Sequence, residues 1–74
     1  MKDQLEALVA VMVERGLLLG EAVTEFEKKF IKRALESANG NQSRAAKRLG
    51  VHRNTLSRKV EIYKLDHVGR PRSR

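Results

Sequence analysis

The sequence predicts an all-α fold of four helices that ends in a helix-turn-helix, and three observations predict it. Apolar residues recur at i, i+3, i+4 and i+7 through the first half of the chain, the period of an amphipathic helix. Glycine or asparagine stands after three of the four periodic stretches, where a helix would stop. In "GNQSRAAKRLGVHRNTLSRK", residues 40–59, two short basic segments flank a single glycine, the spacing of two helices joined by a tight turn.

The elements follow in order. A first helix is expected over about Lys2 to Arg15, with Leu5, Leu8, Val9, Met12 and Val13 on one face. Gly16, placed after a basic last turn, suits its C-terminus. "GLLLG", residues 16–20, reads as a short link whose three leucines are buried. A second helix is expected over about Glu21 to Ala38. Val23, Phe26, Phe30, Ala34 and Ala38 keep its spacing, and Ile31 and Leu35 widen the stripe. Glu21, Glu25 and Glu27 precede Lys28, Lys29, Lys32 and Arg33, which complements the helix dipole. Glu25 pairs favourably with Lys28 and Lys29. Asn39-Gly40 stops this helix. Asn41 can cap a third, over Gln42 to Leu49, which Gly50 ends. A fourth is expected over about Arg53 to Leu65, with Leu56, Val60 and Tyr63 on one face. "GRPRSR", residues 69–74, has no apolar anchor and reads as a basic disordered tail. The expectation is one domain over 1–68, with the helix-turn-helix at about 42–65.

Charge divides the chain. Residues 1–40 hold six Lys or Arg and seven Asp or Glu; residues 41–74 hold ten and two. A balanced half joined to a strongly basic half implies a scaffold carrying a polyanion-binding surface. The 74 residues include no cysteine, so neither disulfides nor a Cys-based zinc site can reinforce a small core. Such a chain gains stability by assembling, and a homodimer is expected. No apolar run is long enough to span a bilayer, and Lys2-Asp3 does not open a secretory signal. The chain is therefore read as cytoplasmic.

The basic segment has an inner and an outer set. Ala45, Ala46 and Gly50 are small enough for two helices to approach closely, and Val51 and Leu56 are expected to bury against Leu49 and Ala45. The outer set suits double-stranded DNA, whose major groove admits a helix. Arg reads guanine and Asn reads adenine through paired hydrogen bonds, so Arg53 and Asn54 lead as base readers, with Thr55 beside them. Asn41, Gln42, Ser43 and Arg44 surround a helix N-terminus, a favourable place for phosphate. His52, Ser57, Arg58 and Lys59 complete the backbone-contact set. Thr55 and Ser57 lie among cations without an acidic orienter, and the two histidines lack metal-ligand spacing. No catalytic residue, metal site, cofactor or small-molecule substrate is expected. Phe26 and Phe30 are expected inside, which argues against recognition of single strands by stacking.

"GN-x-S-x-AA-x-x-LG" followed by "RNTL-x-RK" resembles the DNA-binding domain of the Fis family, also found at the end of many bacterial activators of the NtrC type. "EAVTEFEKKFIKRALESANG" resembles the helix that precedes it, so the likeness covers about Glu21 to Asp66. It implies a dimer through the first two helices, here Leu5, Leu8, Val9, Met12, Val13, Phe26 and Phe30, with two recognition helices in successive major grooves. By match, Asn41, Ser43 and Arg44 would touch the DNA backbone. Arg53 would be the main base contact, supported by Asn54, Thr55, Arg58 and Lys59. Ser57 and His52 depart from the usual pattern. The partners implied are double-stranded DNA and a second copy, with RNA polymerase or other transcription machinery as a further candidate. The function expected is a sequence-selective transcriptional regulator associated with the nucleoid. Two alternatives stand beside it: an architectural DNA-bending protein of weak sequence preference, and a module whose basic face binds an acidic partner or membrane surface. Met1 directly before a helix favours a standalone protein without an extended N-terminal arm.

Overall fold

In the computed structural model, which describes residues 2–69, the chain forms α1 (Lys2–Glu14), α2 (Leu19–Ser37), α3 (Gln42–Leu49) and α4 (Arg53–Ile62). No strand occurs among the described residues, and no described helix is long and apolar enough to cross a membrane. Of the expected tail only Gly69 falls within the described residues; 70–74 lie outside them.

All four helices end in the same motif. A left-handed residue follows each: Gly16, Asn39, Gly50 and Lys64, at φ 79°, 55°, 73° and 57°. The next N–H then reaches back into the last turn, Leu17 to Met12, Gly40 to Leu35, Val51 to Ala46 and Leu65 to Val60, at 3.1, 2.9, 3.0 and 2.8 Å. This Schellman arrangement satisfies carbonyls that a helix end leaves open. Lys64 accounts for a difference from expectation: α4 stops at Ile62, not Leu65. A non-glycine residue in this conformation costs about 1–2 kcal/mol, so nothing in the local sequence marks the stop. Folding Leu65 inward offsets the cost, because Leu65 and Val68 turn back into the core.

That core begins only in the second half of α2. It consists of Ile31, Leu35 and Ala38 from α2, Ala45 and Ala46 from α3, Leu56 and Val60 from α4, and Leu65 and Val68 beyond it. α3 packs closely against both α2 and α4, and residues of all three helices share this one core. Ala45 is fully enclosed, and its small side chain is what allows both neighbours to close on it. Leu35, Leu56 and Val60 are the largest fully buried side chains; burial of each contributes about 1.5–3 kcal/mol. The final turn seals this layer. A Cβ at Gly69, φ +76°, would stand 2.6 Å from both the Gly40 nitrogen and the Leu35 carbonyl oxygen. Only glycine fits there.

Three expectations about burial are overturned. The leucines of the 16–20 link are exposed, Leu19 to 81%. α2 starts two residues earlier than expected, with the Leu18 N–H donating to the Glu21 carboxylate at 3.1 Å, so Leu18 and Leu19 stand at its solvent-facing start, while Leu17 closes the end of α1. Val51 is 42% exposed: its N–H closes the α3 motif, and its side chain lines a groove with Leu49 and Thr55 instead of joining the core. On α2 the inward face is Ile31, Leu35 and Ala38, whereas Val23, Phe26 and Phe30 lie about a quarter-turn round and stay more than half exposed in the single chain. Burial within the single chain therefore gives no argument against stacking. Their rings pack on each other at 5.4 Å and 46°. With Leu8, Met12 and Leu17 they line an apolar cleft between α1 and α2. α1 has no buried residue at all.

One polar cluster joins α2 to α4. The Glu27 carboxylate accepts from the Tyr63 hydroxyl at 2.5 Å and from Lys59 Nζ at 3.1 Å. These bonds, Tyr63 first and Lys59 second, hold the Glu27 carboxyl below its ordinary value of 4.5. Donating to Glu27, and then burial, raises the Tyr63 hydroxyl above 10.0. A carboxyl lowered in the fold gives its full stabilisation above its unfolded pKa and loses it as pH falls through the folded value. A raised phenol gives its stabilisation below its unfolded pKa and loses it as pH rises through the folded value.

Two outcomes are expected. Leu35→Ala lowers unfolding free energy by about 2–5 kcal/mol in urea titrations; a change within measurement error would mean that the core described does not hold the domain. Glu27→Gln melts below the parent near neutral pH, and the gap narrows on acidification below 4.5. Parallel melting curves across that range would remove Glu27 as the titrating group.

Candidate nucleic-acid interface

The face that could meet a polyanion is built at two helix N-termini. Asn41 adopts an extended conformation, φ −79° and ψ 104°, and its side-chain oxygen accepts the Arg44 N–H at 3.0 Å. This cap starts α3 and leaves Ser43 and Arg44 exposed in its first turn. The Asn41 side chain is thus spent on capping, with its amide NH2 remaining as a donor. Lys47 and Arg48 occupy the last turn of α3, where cations complement the dipole.

α4 begins in the same way with a different residue. His52, φ −71° and ψ 144°, accepts the Asn54 N–H on Nδ1 at 3.2 Å. The imidazole is a cap, and its other nitrogen faces no described hydrogen-bond partner. Arg53, Asn54, Thr55 and Arg58 are exposed. Asn54 and Arg58, one turn apart, project opposite the buried Leu56 and Val60. Arg53 stands at the first helical position, and Gly50 in the preceding turn, left-handed at φ 73°, sets the angle between the two helices.

Other expected contacts are engaged within the fold. Ser57 Oγ donates to Gln42 Oε1 at 2.6 Å, joining the middle of α4 to the start of α3. Lys59 is paired with Glu27. Thr55 lines the groove of ≈ 290 Å³ between α2 and the helix-turn-helix, beside Val51, Val23 and Phe26, and so lies to one side of the Asn54–Arg58 face. Sequence reasoning missed both the Gln42–Ser57 and the Glu27–Lys59–Tyr63 links. They join residues 15 and 32 to 36 positions apart, and no local pattern marks them.

Arg44, Lys47, Arg48, Arg53 and Arg58 form no ion pair with a described residue, whereas Lys29, Arg33 and Lys59 each do. Most cations of the helix-turn-helix are therefore uncompensated, whereas on α2 Lys29 and Arg33 are paired and Lys28 and Lys32 are not. Of the residues expected at a dimer contact, Leu5, Leu8, Val9, Val13, Phe26 and Phe30 are exposed in the single chain and Met12 is half-buried.

Searches of curated proteins and of solved structures gave no match. The family described as "Bacterial regulatory protein, Fis family" matches residues 22–63. That span holds most of α2 and all of α3, the turn and α4, more than half of the 74 residues. A DNA-binding helix-turn-helix of this kind has the geometry just described: a capped, outward-facing α4 held by α3 through buried alanines, with free cations on the outer side. The chain belongs to the Fis family of bacterial regulatory proteins.

Proposed function

We propose that the protein is a homodimeric, sequence-selective, double-stranded-DNA-binding regulator of transcription that places α4 in the major groove. The observation that carries this reading is the split character of α4. Leu56 and Val60 are enclosed, while Arg53, Asn54 and Arg58 are exposed and unpaired by described acids. A helix so mounted can enter a groove without disturbing the core. Arg53 and Asn54 read base edges; Ser43 and Arg44, with the Asn41 amide, hold phosphates at the start of α3. Phosphate contacts release counterions, so affinity falls steeply with salt.

Dimerisation is supported by the unsatisfied apolar surface. α1 has no fully buried residue, and Val23, Phe26 and Phe30 are more than half exposed. The Cα radius of gyration is 14.1 Å, against about 11 Å for a compact domain of this length. A second copy that covers the α1–α2 cleft would supply the missing core.

One observation favours the architectural alternative. Thr55 lies aside and Lys59 is paired with Glu27, which leaves few groups to read bases. The ratio of specific to non-specific affinity separates the two readings.

Two measurements test the proposal. In anisotropy titrations with scrambled competitor, the parent retains selected inverted repeats. Arg53→Lys loses about 1–3 kcal/mol of that discrimination with little change on scrambled DNA, because an ammonium cannot reproduce the paired bonds of a guanidinium. An unchanged ratio would reduce Arg53 to a charge, and equal competition in the parent would establish the architectural reading. In sedimentation equilibrium the parent is a dimer, and Phe30→Glu dissociates it and lowers the melting temperature; a monomeric parent would end the dimer reading.

A further inference from the structure

We infer that Glu27 is a positioning residue for DNA reading: its carboxylate locks the recognition helix α4 to α2, the helix that carries the dimer face, and thereby fixes the separation of the two half-sites. The inference rests on the dimeric DNA-binding function proposed above.

α4 packs closely on α3, and α3 on α2; Leu56 and Val60 also share the core with Ile31 and Leu35 of α2, but apolar packing is non-directional and does not by itself fix the angle between the two helices. Among the described residues, the side-chain hydrogen bonds that join α2 directly to α4 and its cap all converge on Glu27. They grip α4 at two points one turn apart, Lys59 within the helix and Tyr63 at its C-cap. Two grips along an axis resist tilting, which one would not. Glu27 also directly follows Phe26, whose ring lies on the exposed apolar face. The same turn of α2 thus faces the second copy on one side and holds the recognition helix on the other.

Small angles matter at this scale. α4 has ten residues and so is about 15 Å long; a tilt of about 15° displaces its far end by about 4 Å, comparable to the ~3.4 Å rise of one base pair. In a dimer the displacement occurs at both recognition helices. Loosening the Glu27 grip should therefore blur half-site spacing before it affects binding to phosphates. Lys59 then serves as part of the clamp, not as a phosphate ligand.

The test uses the full chain and a set of inverted-repeat duplexes whose half-site separation increases one base pair at a time. A parallel set of proteins carries a nitroxide at Ile62→Cys, an exposed α4 position, so that the distance between labels in the dimer can be measured. The expected result is a parent that prefers one spacing about tenfold over its neighbours and shows one narrow label distance. Glu27→Ala should reduce the preference to within about threefold and broaden the distance, with affinity for scrambled DNA and the salt slope retained. Glu27→Gln, which can still accept from Tyr63, should fall between. If Glu27→Ala melts below the assay temperature, the Glu27→Gln/Tyr63→Phe double variant removes the charge and the hydroxyl at nearly constant size, and the same comparison decides. Undiminished spacing preference with a narrow distance overturns the inference. So does a salt slope that steepens by about one with spacing preference intact, since Glu27 would then only mask the charge of Lys59. A parent with no measurable label distance, or no preference among duplexes, instead defeats the dimeric DNA-reading function itself, before any variant is compared.

Discussion

The structure depends on two alanines being small. Ala45 and Ala46 are enclosed on the inner side of α3, and α2 and α4 both close on that helix. Protein interiors are packed to the density of organic crystals, so a larger side chain there has nowhere to go without moving a neighbour. Everything else on α3 can then be chosen for another purpose. Its eight residues include two arginines and one lysine, all turned outward, because the two alanines do the packing. This answers why so much positive charge can be concentrated in a packed segment: the helices are short, their contact is thin, and the long cationic stems never compete for the interior.

The same economy divides α4. Leu56 and Val60 hold it, Ser57 and Lys59 tie it to α3 and α2, and Arg53, Asn54 and Arg58 remain outward. Binding and architecture alternate along ten residues. Substitutions on this helix therefore differ in kind: those at 53, 54 or 58 change its exposed face, and those at 57 or 59 break ties to α3 or α2.

How much was readable in advance follows from how local each signal is. The bounds of α3, the Asn41 cap, the left-handed Gly50 and the inward Ala45, Ala46, Leu56 and Val60 are all encoded within a turn or two of themselves, and the sequence reading places them correctly. The direction of α2 was not readable in this way. Its apolar residues span a wide arc, and periodicity alone cannot say which edge faces the core and which a partner; Ile31 and Leu35 took the core, and Phe26 and Phe30 did not. The end of α4 was missed because a lysine adopts the conformation usually given to glycine. Glu27 was read only as a charge suited to the early part of its helix, since its partners lie 32 and 36 residues away. Within the interface, residue types pointed to the face, but which of them are already committed is a matter of tertiary contact. The roles at the DNA remain those proposed above.

The position of Gly69 gives the domain a polarity. Its α-carbon rests on the backbone of Gly40, one residue before the cap of α3. The described residues accordingly end beside the start of α3, whereas they begin on α1, which does not pack closely on α3 or α4. A purification tag, a fluorophore or a fused domain is thus not equivalent at the two ends. On the function proposed above, an addition at one end stands nearer the nucleic acid, and at the other nearer the face that a second copy would cover.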